Sequence, residues 1–90
     1  MQWSIIKMSI KITEKQLHED YINAVTQTAR HHEDPNGLFS LETVLNTWND
    51  FLKKLSECDE LNIVNKARLE IIANQVIVAL KTQNRNRANN

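Results

Sequence analysis

Ninety residues make one small domain, large enough for a modest core without disulfide or metal support. Hydrophobic residues supply 41% of the chain and charged residues 24%, the mixture of a globular protein and too apolar for a wholly disordered one. Eleven Lys and Arg cancel eleven Asp and Glu, which removes the basic excess that phosphate-binding domains usually carry; the lone Cys58 excludes an internal disulfide and a Cys-rich zinc site.

The first residues, Met1-Gln2-Trp3-Ser4-Ile5-Ile6-Lys7, lack the basic flank and long apolar stretch of a secretory signal. No apolar run reaches the ~20 residues that span a bilayer. The expected location is therefore the cytoplasm, bacterial or host. Eleven Asn, nine Ile and seven Lys suit an AT-rich genome, such as that of a low-GC bacterium or its phage.

From Ile6 to Thr13 the chain alternates, with Ile6, Met8, Ile10 and Ile12 on one side and Lys7, Ser9, Lys11 and Thr13 on the other. Period two with β-branched residues predicts an extended, strand-like segment. A lone strand leaves its backbone unpaired, so this arm is expected to pair with a copy of itself, pair with a partner, or lie over the helices. Thr13-Glu14-Lys15-Gln16 is a capping box, and Ile12 with Leu17 forms a hydrophobic staple around it.

The first helix is predicted over about Glu14 to His32, with Leu17, Tyr21, Ala24, Val25, Thr28 and Ala29 facing the core. Asp34-Pro35-Asn36-Gly37 ends it in a turn, and this turn holds the only Pro and the only Gly in the chain. Ser40 caps a second helix over Leu41 to Glu57, stapled by Phe39 and Val44. Leu41, Val44, Leu45, Trp48, Phe51, Leu52 and Leu55 form its stripe, and Asp50 with Lys54 is expected to pair across one turn.

After a short link at Cys58-Asp59, a third helix is predicted from about Glu60 to Thr82. Val64, Ala67, Leu69, Ile71, Ile72, Val76, Ala79 and Leu80 give it a wide apolar surface, which Ile77 and Val78 extend almost all round. Such a helix is either central to the fold or has a second surface to cover. The polar run from residue 83 has no apolar anchor. The expected fold is thus all-α or mainly α: an extended or β-strand-like arm over residues 1–12, a three-helix bundle over 13–82 and a disordered tail over 83–90.

Chemistry-bearing groups are sparse. His31 and His32 are adjacent, so on a helix they point about 100° apart and do not converge on one ion; a solvated helix end accounts for them. Cys58 sits among Glu57, Asp59 and Glu60, which disfavour a thiolate. One glycine cannot build a phosphate-cradling loop. No catalytic, metal-binding or cofactor-binding residue is assigned, and the expectation is a protein that is not an enzyme and carries no cofactor.

The remaining signals concern contact. Trp3, Ile6, Met8 and Ile10 of the arm and Ile77 and Val78 of the third helix are the candidate partner or dimer interface, because a three-helix core leaves them without cover. The partner expected is another protein or a second copy, in the manner of an adaptor, chaperone or inhibitor. The alternative is a nucleic-acid-associated regulator that uses Lys7, Lys11, Lys81, Arg85 and Arg87, which would form a basic patch if the chain ends meet.

Overall fold

The computed structural model describes residues 12–89, with side chains as far as residue 85. They form three helices and, among the described residues, no strand: α1 over Glu14–Glu33, α2 over Leu41–Glu57 and α3 over Ile63–Asn89. The fold is all-α, as the helical spacing predicts.

The helix starts follow from local chemistry. The Thr13 hydroxyl accepts the Gln16 N–H at 3.1 Å from an extended backbone, as an N-cap requires. A second acceptor comes from far along the chain, where Glu60 Oε1 takes the Glu14 N–H at 2.7 Å. Two side chains thereby serve the donors that every helix start leaves unpaired. Ser40 accepts from the Thr43 N–H at 3.3 Å, and Phe39 and Val44 both pack into the core beneath it. The turn between α1 and α2 closes through the Gly37 N–H on the Asp34 carbonyl at 3.0 Å. No residue in it has positive φ, as a type I turn led by Pro35 demands.

The third start differs from the expectation. The Asn62 side-chain oxygen accepts the Asn65 N–H at 2.8 Å, so α3 begins at Ile63 and the link from α2 runs over 58–62. Asn is among the best N-caps, and this one sets the start three residues beyond the Glu60 expected from the short link. At the other end α3 continues to Asn89, through most of the segment assigned to the tail. That stretch contains no Gly or Pro to stop it.

α2 is the central element. It packs against α1 on one side and α3 on the other, whereas the α1 and α3 backbones make no close approach. Its stripe is used in full: Val44, Trp48, Phe51 and Leu55 are buried, with Leu41, Leu45 and Leu52 packed beside them. α1 contributes Leu17 and Ala24, and α3 contributes Ala73, Ile77 and Leu80, while Cys58 from the link is also fully enclosed. Ala24 and Ala73 are both 0% exposed, and small residues at these positions let each outer helix lie close to α2.

At the centre, Tyr21, Trp48 and Phe51 form an aromatic cluster. Tyr21 and Phe51 each meet Trp48 edge-on, at 6.0 and 5.9 Å between ring centroids. The Trp48 indole N–H donates to Thr28 Oγ1 at 2.8 Å, and that hydroxyl donates to the Ala24 carbonyl at 2.8 Å. The largest buried side chain therefore keeps its one polar group satisfied.

Two faces depart from the expectation. On α1 the buried positions are Leu17, Ala24 and His31, seven residues apart, while Val25 and Ala29 lie at the surface. His31 is not a solvated helix end: it is 4% exposed, and its Nδ1–H donates to the Phe39 carbonyl at 2.9 Å, tying α1 to the cap of α2. Lys54 does not turn along its own helix to Asp50. It reaches Asp20 on α1 at 3.0 Å, the one ion pair among the described residues.

Candidate functional site

Among the described residues no three or more His, Cys, Asp or Glu side chains converge as a metal site needs. No described helix is long and apolar enough to cross a membrane. A concavity of about 700 Å³ lies between the N-terminal halves of α1 and α3. It is lined by Leu17, Tyr21, Leu61, Leu69 and Ile72 together with Glu14, Lys15, His18, Asn65 and Arg68. It lies between two helices that both pack on α2 and whose backbones do not closely approach, and nothing in it pairs a nucleophile with a base.

The outer side of α3 is more distinctive. A long helix packed on one neighbour normally shows polar residues away from that neighbour. Here Val64 is 60% exposed, Ile71 57% and Val78 61%. At 100° per residue, these three and the exposed Ala67 occupy a sector about 60° wide, roughly opposite the buried Ala73, Ile77 and Leu80. The row is about 21 Å long. Its three large members are β-branched, so their side chains are stiff and lose little freedom when covered. A shallow apolar hollow of about 340 Å³ lies beside Val78, between Asn74, Gln75 and Ala79.

Charges of both signs flank this row: Glu57 ends α2, Asp59 and Glu60 lie in the link, and Lys66, Arg68 and Glu70 follow in the first half of α3. Glu70 is the last acidic residue in the chain, and the exposed Lys81 and Arg85 follow it.

Of the interface residues expected from sequence, Val78 is on this outer row. Ile77 is not: at 8% exposure it turns into the core against α2, which corrects that assignment. Neighbours on a helix point about 100° apart, so the two cannot share a face. Trp3, Ile6, Met8 and Ile10 lie outside the described residues, as do Lys7, Lys11 and the Arg87 side chain. The sequence reading places Val64 and Ile71 in one wide apolar surface of this helix without dividing it into faces. The sevenfold spacing 64–71–78, offset from the Leu69–Ala73–Val76–Leu80 set, was the signal that separates the two faces. Compared with protein-family models, with curated proteins and with solved structures, the chain shows no match.

Proposed function

We propose that this chain is a small, non-enzymatic protein-interaction module whose contact surface is the outer face of α3. The observation that carries the reading is the exposed row of Val64, Ile71 and Val78 on a helix whose opposite side already fills the core. Apolar side chains aligned in this way cost solubility, and they are characteristic of surfaces that a macromolecule covers. The α1–α3 groove supplies no catalytic grouping that would favour an enzyme instead.

Matched affinity capture tests this reading. The wild-type chain and an Ile71→Asp/Val78→Asp variant serve as paired baits, with circular dichroism establishing equal helicity. The reading expects proteins held by the first and lost from the second, with little dependence on salt. Capture unaffected by the two substitutions would refute it. Binding of an oligonucleotide that disappears in moderate salt, or on removal of residues 81–90, would favour the nucleic-acid alternative.

A further inference from the structure

The concavity between α1 and α3 begins beside the point where the described chain begins. Glu60 Oε1 holds the Glu14 N–H at 2.7 Å, which pins the start of α1 to the link that leads into α3. Glu14 and Leu61 stand at that tie and both line the groove, whose walls run away from it along α1 to Tyr21 and along α3 to Ile72. Residues 1–11, which lie outside the described residues, therefore join the fold at the groove's end.

Ile12 sets the register of that segment. It packs against the core cluster to which Leu17 belongs, and Leu17 lines the groove. A residue packed in this way just before an N-cap fixes the angle at which the chain enters its helix. With period two, an extended chain turns Ile10, Met8 and Ile6 to the side that Ile12 presents, and Lys7, Ser9 and Lys11 to the other. The lengths agree: four extended steps from Met8 to Ile12 span about 13 Å, and the α1 wall from Glu14 to Tyr21 rises about 10 Å. Laid over an open groove, such a segment keeps its backbone at the mouth, where water serves groups that no neighbouring strand pairs.

The lining favours the same occupant. Tyr21, Leu61 and Leu69 are only partly buried and Ile72 is 38% exposed, so the three-helix core leaves apolar surface here. Glu14 on one hand and Lys15 and Arg68 on the other give the lining both signs of charge, which singles out neither an anion nor a cation. A tethered segment acts at an effective concentration of the order of mM, which a foreign apolar peptide has to exceed. We propose that residues 6–11 lie along the α1–α3 groove of their own chain, with Ile10 and Met8 as the side chains that fill it. None of Val64, Ile71 and Val78 lines this groove, so the proposal stands apart from the reading of the outer face of α3.

Disulfide trapping in the full chain at sub-micromolar concentration tests it, with Cys58→Ala removing the native thiol. Met8→Cys with Ile72→Cys should close to a bond within one chain, read by mass spectrometry as a monomer without free thiols. Met8→Cys with Val78→Cys should stay reduced. A hydrophobic dye, anilinonaphthalene sulfonate, reports the groove without cysteines. Ile10→Asp should raise its fluorescence several-fold over wild type and Ser9→Asp should not, with circular dichroism matched across all three. A Met8–Ile72 bond between two chains would overturn the placement in favour of arm exchange. Equal trapping at Ile72 and Val78, no trapping at either, or equal dye signals from the two aspartate variants would overturn it as well.

Discussion

Replacing Thr28 by Val removes one hydroxyl and keeps the branched shape, which isolates the polar contact at the centre of the core. In the native chain that hydroxyl accepts the Trp48 indole N–H at 2.8 Å. Trp48 is 1% exposed, so water has little route to the N–H once its acceptor is gone. An orphaned buried donor costs about 1–3 kcal/mol; Thr28 itself is only half-buried, which places the expected loss at about 1–2 kcal/mol. For a domain of this size that lowers Tm by about 5–10 °C. Urea unfolding followed by circular dichroism measures it, and a double-mutant cycle with Trp48→Phe separates the contact from general packing. Phenylalanine brings no donor, so Thr28→Val in that background should cost under about 0.5 kcal/mol, a coupling of about 1 kcal/mol. Equal costs in the two backgrounds would show that the indole–hydroxyl bond does not hold α1 to α2.

Other substitutions report on the remaining joints. Lys54→Ala should cost less than about 1 kcal/mol, because both partners of the Lys54–Asp20 pair are partly exposed, at 38% and 29%, and added salt should shrink the difference. Glu60→Ala should cost about 1 kcal/mol by freeing the Glu14 N–H, and amide exchange should accelerate most in the first turn of α1. Ala24→Leu should destabilise by about 1–3 kcal/mol, since a larger side chain at a fully enclosed crossing forces α1 away from α2. A neutral result in urea unfolding would mean the helices are not in close contact there.

Legibility from sequence followed the contrast between faces. α2 has apolar residues on one side and polar residues on the other, so its limits and its buried stripe agree with the spacing at every position. The cap of α1 at Thr13 was equally plain, because the capping box and staple lie together. The buried face of α1 was legible only in part: Leu17, Tyr21, Ala24 and Thr28 turn inward as the spacing predicts, whereas Val25 and Ala29 are exposed and the buried His31 carries no hydrophobicity to flag it. Burial there depends on hydrogen bonds to Trp48 and to the Phe39 carbonyl, both from other elements. α3 failed for a different reason. With apolar residues around most of its circumference, a single period cannot say which side meets α2, and Ile77 and Val78 were grouped although they diverge. Glu60 capping α1 across 46 positions and Lys54 crossing to Asp20 are consequences of the fold and leave no local trace.

Placing aspartate at two α3 positions six residues apart tests the division of that helix most directly. Urea midpoints are compared at sub-micromolar concentration, where linked association adds little. Ile77 is 8% exposed and Ile71 is 57% exposed. Ile77→Asp forces a carboxylate into the core and should remove more than about 3 kcal/mol, while Ile71→Asp should change stability by less than about 0.5 kcal/mol. Similar losses at both positions would mean that the chain buries both sides of α3 itself, leaving no outer face for a partner.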